Sequence, residues 1–469
     1  MRTYIRALNE SNAAVFAGAG LSQPAGYVNW KELLREVAED LSLDIDIEDD
    51  LISLAQYHVN EFDGRSKLNQ ILVDEFTKDV TETENHKILS RLPIKTYWTT
   101  NYDKLIETNL EKNNKKVDAK IVPQNLSHNR SKADTIVYKM HGDSTMAHEA
   151  VLTKDDYEGY DLKRQLFSTA LRGDLVTKTF LFIGFSFDDP NLSYILSRIR
   201  ILLEENSRNH YCFMKEIDPN DYSSDAEFQY AKIKQELKIK DLKRYKIIVL
   251  LVNEYQDITN ILNHIEKIIV SKNVFISGSA TVFGDWKEPE VYKFSANLSK
   301  AIVQNDSNIV TGFGLGIGSS VISGALEELY KNKEKNIENR LKSKPFPQNV
   351  VGDMPIEELW TKYRKEMLIN VGISIFIFGN KKDKDGNIVD ADGMIEEFEI
   401  STAHGAIPIP IGATGFTART LWEEVNKNFD KYIGIQSVKP LFEELSNEDN
   451  SEEDLIKVVI DIVNEVVRY

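Results

Sequence analysis

Apolar and polar positions alternate along the chain in blocks whose period switches between that of a buried strand and that of an amphipathic helix. The run Ala13-Ala14-Val15-Phe16-Ala17 has no polar member, as in a strand covered on both faces, and leads into Gly18-Ala19-Gly20-Leu21-Ser22. Trp30, Leu33, Leu34, Val37, Ala38 and Leu41 then recur at helical spacing, with Lys31, Glu32, Arg35 and Glu36 on the other side. This pattern predicts a helix packed on the sheet. Residues 93–100, rich in β-branched and aromatic side chains and opened by a proline, predict a strand. Further strands are expected at 135–139, 179–183, 210–214 and 246–252, followed by an amphipathic helix at 257–269.

The alternation restarts near residue 270. A strand at 273–277 ends in Gly278-Ser279-Ala280, and one at 308–310 leads into Thr311-Gly312-Phe313-Gly314-Leu315-Gly316-Ile317-Gly318-Ser319 and a helix through Leu329. Strands at 373–378 and 406–411 also end in glycine. The implied fold class is α/β, with two Rossmann-like domains of mainly parallel sheet, 1–269 and 270–469.

Polar chemistry collects where these strands end. The 93–100 strand runs into Asn101-Tyr102-Asp103, the 135–139 strand into His141-Gly142-Asp143, and the 179–183 strand into Gly184-Phe185-Ser186. Ligands of open parallel sheets bind outside the carboxyl ends of the strands, so four strands direct their polar ends toward one edge. Gly18 and Gly20 allow a tight turn beside a helix N-terminus, a setting suited to a pyrophosphate. The third glycine of the usual dinucleotide fingerprint is replaced by Gln23. Four alternate glycines before a helix, Gly312, Gly314, Gly316 and Gly318, make the second cradle the fuller one.

Composition narrows the classes. A hydrophobic fraction of 42% with no apolar run long enough for a membrane span indicates a globular chain. Lys+Arg 57 against Asp+Glu 74 gives a formal charge of -17, which repels a nucleic-acid backbone. Cys212 is the single cysteine, ruling out an intramolecular disulfide or a multi-cysteine zinc site, and it sits in a strand pattern where it serves as a small hydrophobe. With no leader pattern at Met1-Arg2-Thr3-Tyr4, the expected compartment is the cytoplasm. His58, His86, His128, His148, His210, His264 and His404 lack metal-ligand spacing, so no metal is expected and each reads as a surface or satisfied core residue. The acidic tract Glu452-Glu453-Asp454 reads as a solvated helix start.

In order and spacing, Gly18-Ala19-Gly20-Leu21-Ser22, Thr100-Asn101-Tyr102-Asp103, His141-Gly142 and Gly184-Phe185-Ser186 resemble the NAD-binding core of the sirtuins. That resemblance implies that Asn101 positions the nicotinamide ribose or an attacking water and that His141 is the general base at the ribose. It implies contacts to NAD from Gly18, Ala19, Gly20, Ser22 and Gly184, with Asp103 on the nicotinamide side and Ser186 at the adenosine ribose. Sirtuin deacetylases carry a four-cysteine zinc module that this chain cannot build, so the expected acceptor is water and the expected products are nicotinamide and ADP-ribose. A non-catalytic sensor of NAD or ADP-ribose, signalling through a partner, stays open as the alternative; Asn101 and His141 favour an enzyme, because a pure binder needs no base.

The second half is similar to the SLOG family of Rossmann-like nucleotide sensors through Gly278-Ser279-Ala280, Gly312 to Ser319 and the pair Arg364-Lys365. The two halves together resemble the sirtuin–SLOG NADase effectors of the Thoeris anti-phage system. This likeness implies a cyclic ADP-ribose isomer, made by a partner TIR-domain protein, that binds the second domain and switches on the first, in a homotetramer. The implied activator contacts are Gly278, Ser279, Gly312, Gly314, Gly316, Gly318, Ser319, Arg364, Lys381 and Glu397. Two cations suit a diphosphate and a carboxylate suits ribose hydroxyls or an adenine amine.

Overall fold

The computed structural model describes residues 1–187, 189–203, 208–347 and 353–468. They form two compact units, Met1–Glu266 and Lys267–Tyr469, and the division falls within the helix Tyr255–Ser271. That helix outruns the expected 257–269 at both ends. Among the described residues no helix is long and apolar enough to cross a membrane.

The first unit is built on strands β1 (Ala13–Ala17), β2 (Thr96–Thr99), β3 (Val117–Lys120), β4 (Thr135–Lys139), β5 (Thr179–Ile183), β6 (His210–Lys215) and β7 (Ile247–Val252). All pair in parallel, in the order β3-β4-β2-β1-β5-β6-β7. Every residue of β1, β2 and β5 is buried, which explains their unbroken apolar and aromatic character. Phe16 of β1 stacks on Phe182 of β5 at 5.4 Å. Trp98 of β2 is buried against Tyr138, and its indole N–H donates to Asp174 at 2.8 Å. Cys212 is buried on β6.

The helix expected over 30–41 is two short ones, Trp30–Leu33 and Arg35–Asp40, broken at Leu34. Its apolar stripe does not pack on the sheet. Leu34, Val37 and Ala38 instead meet Leu54, Leu68 and Leu72, from helices Leu51–Glu61 and Ser66–Phe76, in an apolar cluster of their own that also takes in Tyr102. Periodicity correctly marks a face to be buried but does not say against what; here a helical layer supplies the partner.

In the second unit β8 (Asn273–Ser279), β9 (Asn308–Thr311), β10 (Leu341–Ser343) and β11 (Ile373–Phe378) precede the antiparallel hairpin β12 (Asn380–Lys382) and β13 (Ile388–Asp390), and β14 (Ile407–Pro410) follows. The main sheet is parallel, in the order β10-β9-β8-β11-β14. Its core joins Val274, Ile276, Phe294, Ile375 and Ile409 to Leu455, Val459, Ile462 and Val466 of the helix Glu452–Arg468. Glu452, Glu453 and Asp454 form the first turn of that helix, where negative charge is favourable.

Candidate active site and second glycine loop

In the first sheet β2 and β5 flank β1, and the chain order reverses there. The crevice outside the ends of these strands is a cavity of about 1040 Å³, large enough for a dinucleotide. Ala19, Gly20, Ser22, Asn101, Asp103, His141, Gly184 and Ser186 all line it, together with Tyr102, Tyr157 and Asp189. Gly18 is not among the lining residues. A Cβ on Gly18 would lie 2.4 Å from the Gly184 carbonyl oxygen, and one on Gly184, whose φ is +63, would lie 2.1 Å from the Leu21 nitrogen. The Gly18 and Gly20 amides donate to the carbonyls of Ile183 and Gly184 at 3.0 and 2.9 Å. These glycines therefore let two loops touch backbone to backbone. The helix after the turn, Ala19–Ser22, is a single turn, so the dipole offered to a pyrophosphate is smaller than the sequence pattern suggests.

Asn101 ties this floor to β2. Its side-chain amide donates to the Gly18 carbonyl and to Ser22 Oγ, each at 3.1 Å, while its own N–H donates to Thr99 Oγ1 at 2.9 Å. Asp103 accepts the Leu105 N–H on Oδ1 at 2.9 Å, and its buried Oδ2 has no hydrogen-bond partner in the protein. An unsatisfied buried carboxylate oxygen on a cavity wall is suited to an incoming N–H donor. Lys139, wholly buried at the end of β4, contacts Asp143 at 2.6 Å and Glu107 at 3.1 Å and donates to the Asp103 carbonyl. Burial opposes its charge, but the carboxylates of Glu107, Asp143 and Asp103 outweigh it and hold the ammonium above the ordinary lysine range.

His141 is buried, its imidazole edge-on to Tyr157 and Tyr160, and its Nε2 lies 3.0 Å from Asp189 Oδ2. Burial pushes the Asp189 carboxyl up, yet His141 and the backbone N–H groups of Leu192 and Asn191 more than offset this and hold it below the usual carboxylate range. Asp189 is absent from the sequence-derived site. The pair Asp189-Pro190 signals a helix start, which is the one hint the sequence holds. Two histidines read as satisfied are not fully so: His86 Nε2 and His58 Nδ1 are buried without partners. Burial drives His86 down to about 4 despite the nearby Asp103 charge, so it is neutral at pH 7.

In the second unit the run Gly312 to Ser319 links β9 to the helix Gly318–Lys331 and lies against the end of β8, where the Ala280 N–H donates to the Leu315 carbonyl at 3.0 Å. Gly314 packs on the Gly278 carbonyl, Gly316 on that of Ala280, and Gly318 on Phe313, while Ser319 is exposed. Ser279 Oγ donates to the Asn380 carbonyl at 3.3 Å. Arg364 lies over the Phe346 ring at 4.8 Å, and that ring also borders Gly312. The guanidinium pairs with Glu396 and approaches Glu397 at 3.5 Å, and Glu397 accepts the Ser277 hydroxyl at 2.6 Å. Lys381 pairs with Asp392, at the start of the helix Asp392–Ala403 that carries both glutamates. Arg364 and Glu397 thus meet directly, and Lys381 reaches the same helix one turn away.

Comparison with known proteins matches residues 95–239 to the SIR2-like domain model and residues 257–466 to the Sir2- and TIR-associating SLOG family. The NAD(+) hydrolase ThsA of Bacillus cereus (strain MSX-D12) is 49% identical over 466 residues, covering 99% of this chain and 97% of that protein. The chain belongs to the ThsA family. A second ThsA, from Acinetobacter baumannii (strain 532279), is 47% identical over 98% of the chain and 97% of its own length. Outside the ThsA group, Defense-associated sirtuin 2 of Bacillus subtilis is 28% identical over 223 residues, 46% of the chain and 22% of its own length.

Proposed function

We propose that this member of the ThsA family hydrolyses NAD+ to nicotinamide and ADP-ribose in the first unit, and that a cyclic ADP-ribose isomer held by the second unit switches the reaction on. The observation that carries the first part is the meeting of Asn101, His141 and the unpartnered Asp103 Oδ2 on the wall of one cavity at the switch point of the sheet. The nicotinamide carboxamide supplies the N–H donor that Asp103 lacks. Asn101, fixed by Gly18 and Ser22, orients the ribose or the water. The C1′–N bond breaks with its electrons passing to the pyridinium nitrogen, and nicotinamide leaves neutral. Water oxygen then bonds to the oxocarbenium-like C1′, and His141 takes the proton that water gives up.

The ThsA relatives and the SLOG match support NAD hydrolysis in defence. The activator, its supply by a TIR-domain protein and a homotetrameric state are parts of the proposal that rest on family resemblance. The test is nicotinamide release from NAD with and without cyclic ADP-ribose isomers. Asn101→Ala and His141→Ala should each still bind NAD and lose roughly 10²–10⁴ in rate. Turnover near that of the unsubstituted chain in either variant would remove that residue from the site, and no release under any isomer would favour a sensor.

A further inference from the structure

The carboxylate of Asp189 is held between two different structures. Its Oδ1 accepts the Leu192 N–H at 2.9 Å and its backbone carbonyl accepts the Ser193 N–H at 3.0 Å, so it caps the helix Pro190–Leu203. Its Oδ2 faces His141 Nε2 at 3.0 Å, and both side chains are less than a tenth exposed. The approach is close but off the N–H axis, since Nε2 forms no aligned hydrogen bond.

Three of the polar groups around the imidazole are committed elsewhere. Tyr160 donates to the Met140 carbonyl at 3.2 Å and Tyr102 to that of Val151 at 2.7 Å. Arg164 spends its guanidinium on the carbonyls of Ile121, Met140 and Glu149. Asp189 is the carboxylate placed to answer a charge on His141.

We propose that Asp189 is a positioning residue for hydrolysis: it fixes the ring and tautomer of His141, with the Nε2 proton toward Oδ2 and Nδ1 as the basic nitrogen, and it balances the imidazolium formed when His141 takes a proton. The proposal rests on the reading of His141 as the base. Its physical content is that of any buried imidazole with a fixed carboxylate behind it: the wrong tautomer is suppressed and the product charge is stabilised before the reaction begins.

Asp189→Asn separates this role from capping. Asparagine caps a helix as well as aspartate does, fills the same space, and removes the charge. The expected result is a fall in kcat of roughly 10² or more, with the KM for NAD and the melting temperature unchanged. Asp189→Ser, which keeps a capping oxygen, serves as the second variant if the first folds poorly. The deciding measurement is a double-mutant cycle: His141→Ala with Asp189→Asn should be no slower than His141→Ala alone, because Asp189 acts only through the imidazole. A kcat near that of the unsubstituted chain in both Asp189 variants, or a double variant slower by the product of the two single losses, overturns the proposal. Full turnover in His141→Ala overturns the reading of His141 itself, a result distinguishable from the other two.

Discussion

Lys139 is the buried cation behind Asp103 of the cavity wall. It is wholly buried between Asp143, itself almost wholly buried, and Glu107, which is mostly buried. Replacing it by methionine keeps much of the volume and leaves two carboxylates without their cation, which typically costs about 3–5 kcal/mol when one partner of a buried pair is removed. Lys139→Met is therefore expected to lower the urea midpoint sharply, and a loss under about 1 kcal/mol would mean that the carboxylates find other partners. This residue was not singled out from the sequence, where Thr135-Ile136-Val137-Tyr138-Lys139 reads simply as a strand. Asn101, Asp103 and His141 were legible because each lies within about four residues of a strand end. Asp189 was not, because it lies five residues beyond Gly184 and its partner arrives from β4.

At the scale of elements, the strands were easier to read than the helices between them. Buried parallel strands must be apolar throughout, so β1, β5 and β11 announce themselves. The broken helix near Leu34 did not, because its apolar stripe serves a helical layer that periodicity cannot distinguish from a sheet. Two buried histidines link these elements to pH. His210, at the start of β6, accepts the Phe180 N–H on Nδ1 at 3.1 Å, and burial lowers it to about 4, as it does His86. A histidine depressed on folding is protonated in the unfolded chain before it is in the native one. Stability should therefore decline as the pH falls from about 6.5 to about 4, by up to roughly 1.4 kcal/mol per pH unit for each such group. Urea titrations at pH 7 and pH 5 measure this, and His210→Gln should flatten the decline; an unchanged slope would mean that His210 is not neutral in the native state.

For the whole molecule the question is control. Under the control proposed above, a ligand shifts the enzyme only by its differential affinity for the active state, typically about 1–3 kcal/mol per site. Arg364 is paired with Glu396, so the proposed anionic activator would have to compete with a carboxylate of the chain. Arg364→Ala or Lys381→Ala should raise the activator concentration needed for NAD cleavage, and Arg364→Glu should raise it further. Activation curves identical in all three variants would place the regulatory site elsewhere. The interlocked loops at Gly18 and Gly184 bear on a different matter, that of descent. A side chain at either position strikes backbone, so mutation is purged there for the sake of folding whether or not a nucleotide is ever bound. A copy of this gene drifting toward inactivity would keep its glycine signature long after Asn101 or His141 had gone. Among distant descendants, the glycines record ancestry and the two polar residues record the proposed employment.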